Sequence, residues 1–155
     1  MPELGLHRIV AKIDSGARTS ALHATRIVHF ERDGARWVRF RVPHSGLHVT
    51  PTCEARLVDR REIKNTSGVP QERLVIETML VLGDRRWRIE VSLADRAAMA
   101  MPLILGRTAL RRHRVLIDVG RSWLAGEPRQ RQTPAPPSGG PSRGAARARP
   151  EGKNS

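Results

Sequence analysis

Two runs of alternating side chains, each broken at its centre by a glycine and an aspartate, set the limits on how this chain folds. "RIVHFERDGARWVRFRV", residues 26 to 42, alternates on both sides of Asp33-Gly34. "RLVIETMLVL" (73 to 82) and "RWRIEVSL" (86 to 93) do the same around Gly83-Asp84. A period of two is the spacing of a strand with one buried face, and a two-residue break containing glycine is the strongest local signal for a hairpin. "HVTPTCEARLVD" (48 to 59) alternates more weakly, and Pro51, with no N–H to donate, points to an edge or a bulge. Only "ADRAAMAM" (94 to 101) and "RTALRRH" (107 to 113) read as helical, and both are short. The expected fold is mainly β, a small closed barrel or sandwich with one or two short helices.

The 155 residues suit one domain over residues 1 to 126, large enough to fold without staples. From Glu127 the chain reads "EPRQRQTPAPPSGGPSRGAARARPEGKNS", and this Pro/Gly/Arg-rich tail, 127 to 155, is expected to be disordered because it has almost no large apolar residue to bury. The single cysteine, Cys53, cannot form an internal disulfide. The first residues contain no apolar run of signal-peptide length, and no segment approaches the roughly 20 apolar residues that span a bilayer. A cytoplasmic location without membrane contact is the resulting expectation.

Charge narrows the partners without choosing one. The net charge is +13, of which residues 1 to 126 carry 22 basic and 13 acidic side chains, or +9, so the folded part is itself basic. Such a surface attracts nucleic acid, ribosomes, anionic membranes or acidic polypeptides.

Two short motifs carry possible chemistry. In "KIDSGARTSALHA" (12 to 24), Asp14 stands where the strand-like "HRIVAKI" ends, and a carboxylate on such a loop can accept hydrogen bonds from the N–H groups that follow it. Gly16 permits backbone angles closed to other residues. Asp-Ser-Gly is also a common turn. In "PLILGRTAL" (102 to 110), a buried apolar strand runs into Gly106 and at once into a helix-like segment.

Taken together, "IDSGA" and "LILGRTAL" resemble the catalytic loop and the apolar-apolar-Gly-Arg segment of retropepsin-like aspartic proteases, in the order those enzymes use. "AKIDSGARTSALHA", "WVRFRV", "NTSG", "ERLVIET", "LADRAAMAMPLILGRTAL" and "LIDV" resemble one bacterial branch labelled ATP-dependent zinc proteases, often found beside glutamate ligases of the RimK type. The resemblance spans roughly residues 8 to 124. It also implies a strand-like segment of the form Gly-Trp-Arg-Glu ahead of "PELGL", where this sequence has Met1.

The label finds no support in the residues. A P-loop would need a glycine-rich run ending in Gly-Lys-Ser/Thr, and a zincin would need two histidines one helical turn apart around a glutamate; neither occurs. His44 and His48 are four apart, but "HSGLH" holds a glycine beside Pro43. No metal and no other cofactor is expected.

Aspartic proteolysis needs two carboxylates that share one proton. The chain has one Asp-Ser/Thr-Gly, so the resemblance implies a two-fold homodimer of acid-protease barrels in which Asp14 faces its symmetry mate. In that reading Ser15 locks the paired loops, Gly16 permits the turn, Ala17 leaves room for substrate, and Gly106 and Arg107 pack beneath the loop. Asp95 and Asp118 are rival second acids, although Asp95 also suits a helix cap. The polar segment "DRREIKNTSGVPQERL" (59 to 74) would form a flap or cleft-lining loop, with Arg60, Arg61, Lys64 and Arg73 facing the cleft. Guanidinium groups bind carboxylates bidentately, so an acidic or glutamate-tailed peptide is the expected substrate.

The competing reading is a basic, non-catalytic β module that binds RNA, a ribosome or an acidic protein. Its aromatic residues are few: Phe30, Trp37, Phe40, Trp87 and Trp123. The first three are expected in the core of the first hairpin, which leaves little surface for stacking bases and makes nucleic acid the less favoured partner.

Overall fold

A computed structural model describes residues 1–43, 50–64, 68–95 and 101–126. The expected tail, His44 and His48, and most of the expected helix at 94–101 lie outside the described residues. The fold is mainly β, as the alternation implies, and its eight strands form one sheet in the order β1-β8-β2-β7-β6-β5-β4-β3.

Both expected hairpins are present. β3 (Thr25–Arg32) and β4 (Ala35–Arg41) meet at Asp33-Gly34, whose φ angles are 51° and 71°. Two successive positive φ values define the hairpin turn whose twist matches that of its strands. β6 (Pro70–Leu82) and β7 (Arg85–Ala94) meet at Gly83-Asp84, where Gly83 alone takes positive φ, at 63°. β7 continues through Ala94, so the expected helix does not begin there. The other expected helix forms as α1 (Arg107–Arg111).

β5 (Thr52–Lys64) is far longer than its sequence pattern indicates, and its pairing with β6 runs from Leu57↔Ile76 to Lys64↔Pro70. The polar segment 59–74 is therefore two strand arms around a short tip, not a loop; Asn65, Thr66 and Ser67 of that tip lie outside the described residues. Ion pairs accommodate the charge: Arg60 with Glu72 and Arg61 with Glu90 on other strands, and Arg61 with Asp59 two residues back on β5 itself.

Side chains from β4 near one end of the sheet order and β8 near the other belong to one hydrophobic cluster, so the sheet folds over on a single interior. Val38, Phe40 and Val42 enter it from β4 and the residue just beyond it, and Leu103 and Leu105 from β8. β2 (Ser20–His23) and the last four residues of β7 are buried at every position, as strands covered on both faces are. Phe40 is fully buried, but Phe30 and Trp37 are only half-buried, which corrects the expectation that all three aromatics of this hairpin belong to the core. Neighbours in a strand point to opposite faces, and on β4 only the face of Val38 and Phe40 is covered, so Trp37 is left on the open one. Among the described residues no helix is long and apolar enough to cross a membrane.

Candidate active site

β1 (Ala11–Asp14) and β8 (Leu103–Gly106) pair in parallel, with Asp14 in register with Gly106, and β2 flanks the other side of β8. The chain between β1 and β2 must therefore cross over the end of β8. Gly106 lies directly under that crossing, and α1 begins immediately after it.

The crossing loop is fixed from both sides. Asp14 Oδ1 accepts hydrogen bonds from the backbone N–H groups of Gly16 and Ala17, each at 3.0 Å. From below, Arg107 N donates to the Ala17 carbonyl at 2.9 Å and Thr108 N to the Arg18 carbonyl at 3.2 Å, where Thr108 Oγ1 also donates, at 2.8 Å. The Arg107 guanidinium donates to the carbonyls of Gly16 and Ser15, at 3.2 and 3.5 Å. A buried serine pair adds a third anchor: Gly106 N donates to Ser20 Oγ, and Ser92 Oγ donates to the Ser20 carbonyl. Each such bond contributes about 1 kcal/mol, and their number makes the loop a rigid platform.

With Oδ1 occupied, Asp14 Oδ2 has no protein hydrogen bond among the described residues, and Asp14 lines an open cleft of about 410 Å³. Ala17 lies in its wall, and Ala21, Ile63 and Ile104 supply apolar surface. Three cations line it as well: Arg18 on the crossing loop, Lys64 at the end of β5, and Arg73 on β6. Of the four basic residues expected at the cleft, Lys64 and Arg73 line it, with Arg73 largely buried in the wall. Arg60 and Arg61 do not line the cleft, and their guanidinium groups are engaged by Glu72 and by Asp59 and Glu90.

Neither rival acid accompanies Asp14. Asp95 is exposed, 3.8 Å from His23 Nδ1, and Asp118 is exposed with Oδ1 accepting from Gly120 N. Ser15 is exposed at the loop surface. Arg18, Thr19, Ser20 and Ser92 escaped the sequence reading. The first three follow the Asp-Ser-Gly closely and could have been taken with it, whereas nothing in "VSLA" marks Ser92. Among the described residues no group of three or more His, Cys, Asp or Glu side chains is placed to hold a metal ion.

Comparison with known proteins gives the chain a family. A family model described as RimB-like, retropepsin-like aspartic endopeptidase RimB, matches residues 1–128. The chain belongs to this family. As a RimB-like chain it is also similar to one part of several larger proteins. A Parasynechococcus marenigrum protein named "Probable alpha-L-glutamate ligase" is 44% identical over 137 residues, covering 87% of this chain and 29% of that protein. One of the same name from Desulfotalea psychrophila is 41% identical over 128 residues, covering 81% of this chain and 27% of its own length. The RimB-like chain spans less than a third of these curated relatives. A Legionella pneumophila protein of unknown function has a crystal structure similar to it, with a TM-score of 0.67 and 29% identity over 76% of this chain and 84% of the other.

Proposed function

We propose that this RimB-like chain is one half of an aspartic peptidase and that two copies, related by a two-fold axis, bring their Asp14 carboxylates together over one cleft. The observation that carries this reading is the Asp14 carboxylate itself, which lines the cleft and is held through Oδ1 by two backbone N–H groups, with no hydrogen bond to Oδ2 among the described residues. Two such groups face to face share a single proton and titrate as a coupled pair.

The chemistry follows from that shared proton. The ionised carboxylate takes a proton from a water whose oxygen attacks the peptide carbonyl carbon, and the protonated partner gives its proton to the carbonyl oxygen. The resulting gem-diol collapses as the C–N bond breaks and the nitrogen takes up a proton. Ser15, Gly16 and Ala17 shape the loop, while Gly106 and Arg107 hold it from beneath.

The substrate that suits the cleft is an extended acidic peptide. Arg18, Lys64 and Arg73 oppose a single lining acid, Asp14, and cations on a partly desolvated wall attract carboxylates. The curated relatives are named for glutamate ligation, and a peptidase segment within such a protein would remove glutamates of the kind the rest attaches. A glutamate-tailed peptide is the substrate to test. Wild-type chain should shorten it, and Asp14→Asn should abolish cleavage while circular dichroism and Tm stay unchanged. Undiminished cleavage by Asp14→Asn would reject the assignment.

A further inference from the structure

The β3–β4–β5 wing carries a second constellation, none of whose residues lines the Asp14 cleft. Phe30 and Trp37 are cross-strand partners with ring centroids 6.4 Å apart and planes at 29°. The Arg32 guanidinium lies over both rings, 5.1 and 4.8 Å from their centroids, and that of Arg39 lies 5.4 Å from the Phe30 centroid. The register sets Trp37 opposite Arg56, Arg39 opposite Glu54 and Arg41 opposite Thr52. Partners in register share a face, so these side chains leave the sheet together while Val38 and Phe40 between them point into the core.

The charge on this face is uneven. Glu54 pairs with Arg32 at 2.6 Å and with Arg39 at 2.8 Å, which fixes both guanidinium planes against the rings. Arg41 and Arg56 are exposed and in no ion pair among the described residues. Four arginines against one glutamate leave the face with three positive charges in excess. Beside Trp37 opens a crevice of about 290 Å³ whose lining is more acidic than the face itself, with Glu3, Glu54 and Glu77 against Arg56 and Arg88.

We propose that this face binds single-stranded nucleic acid. Successive bases stack on the Trp37–Phe30 pair and on the guanidinium planes above it, and Arg41 and Arg56 take the phosphates at its margin. Flat π surfaces interleaved with cations recognise unpaired bases of any sequence, and guanidinium planes serve as stacking surfaces alongside rings. The crevice beside Trp37 gives one base a place to turn inward, where the Glu54 and Glu77 carboxylates can accept from an exocyclic amino group. An acidic polypeptide would answer the charge but would make no use of the stacked rings.

The test is fluorescence anisotropy of a labelled single-stranded oligoribonucleotide with the full chain, read across a salt series. Binding should weaken linearly in log–log form as salt rises. Trp37→Ala should lower affinity by roughly 5- to 150-fold, the worth of one stacked base. Because Trp37 is half-buried, a second variant carrying Arg41→Glu and Arg56→Glu, both at the surface, should weaken binding and flatten the salt slope by about 0.7 for each phosphate that is no longer neutralised. Asp14→Asn should bind as the wild type does, which keeps this result separate from the peptidase assignment. No binding by the wild type, equal binding by either variant, or a duplex held as tightly as the single strand would overturn the proposal. So would binding of labelled oligoglutamate, but not RNA, that the double variant abolishes; that outcome would give the face to an acidic protein.

Discussion

Gly106 lies so close beneath Thr19 that a Cβ on it would stand 2.6 Å from both the carbonyl carbon and the carbonyl oxygen of Thr19, and 3.0 Å from the Ala17 oxygen. These are backbone atoms of the loop that carries Asp14, and they cannot swing aside as a flexible side chain would. The glycine of the "LILGRTAL" motif is therefore a steric requirement of the crossing loop.

Gly106→Ala should force the loop upward and lengthen the hydrogen bonds from Arg107 N and Thr108 N beneath it. Overpacking of this kind costs about 1–3 kcal/mol, so the denaturant midpoint should fall accordingly. If the loop is the catalytic one, cleavage should fall by more than the diminished stability explains. Urea unfolding and peptide hydrolysis on the same preparation check both.

Arg107 separates positioning from stability more cleanly. Its guanidinium is exposed and, among the described residues, reaches only the Gly16 and Ser15 carbonyls, so Arg107→Ala should cost less than about 1 kcal/mol of stability. A loop released by about an ångström should nevertheless lose roughly a hundredfold in kcat. Arg107→Lys, which keeps the charge but not the two-pronged donor, should recover little of it.

The two hairpin turns and the Asp14 loop were legible because each depends on a few adjacent residues whose conformational demands are local. Asp33-Gly34 takes the two positive φ values its turn needs whatever surrounds it. The extension of β5 to Lys64 was not legible, because "DRREIK" has no apolar alternation; its strand is held by charge pairs to Glu72 and Glu90 that lie elsewhere in the sequence. The same cause misplaced Arg60 and Arg61. In "RWVRF", two adjacent large apolar residues leave the phase of the strand open, and only the packed interior decides that Val38 turns inward and Trp37 outward. The cleft's cations were half legible: Lys64 and Arg73 came from the polar segment, but Arg18 reaches the cleft only because the loop crosses β8.

Cys53 is buried, with its Sγ donating to the Leu4 carbonyl at 3.2 Å, and burial pushes its thiol from 9.0 to about 11. The folded state thus favours the neutral thiol. Its contribution to stability is complete below pH 9 and is lost as pH rises toward 11, at about 1.4 kcal/mol per pH unit. Stability between pH 8 and 11 should fall less steeply in Cys53→Ala, although that variant starts lower because of the cavity it leaves. Iodoacetamide should label the thiol slowly in the native chain and quickly in urea.

On the acid side the sign reverses. Hydrogen bonds from Arg32 and then Arg39 hold the Glu54 carboxyl below its usual range, and hydrogen bonds from Arg61 and the Arg60 N–H do the same for Asp59. Depressed carboxyls contribute stability that is present above their unfolded values, 4.5 and 3.8, and is lost as pH falls through the folded ones. Tm should therefore drop between pH 5 and 3, less so in Glu54→Gln and less so at high salt, because both groups are open to solvent. An unchanged pH dependence in Glu54→Gln would show that its pairs contribute nothing.

The remaining prediction concerns the second copy. Beyond α1 the chain carries Leu116 and Val119 at 92% and 98% exposure, with Ile117, Trp123 and Leu124 about half exposed. Five large apolar side chains within nine residues form a surface a monomer leaves wet, and the proposed acid pair requires a partner. Each aliphatic side chain buried against that partner contributes about 1.5–3 kcal/mol, so Leu116→Asp with Val119→Asp should weaken self-association by at least about a hundredfold. Far-UV circular dichroism should be unchanged, since neither side chain touches the core. Sedimentation velocity should then show a dimer for the wild type and a monomer for the variant, and cleavage should disappear with the dimer and return as concentration is raised. A monomeric variant that cleaves at the wild-type rate would show that the second carboxylate comes from elsewhere, and a variant that stays dimeric would move the interface to another face.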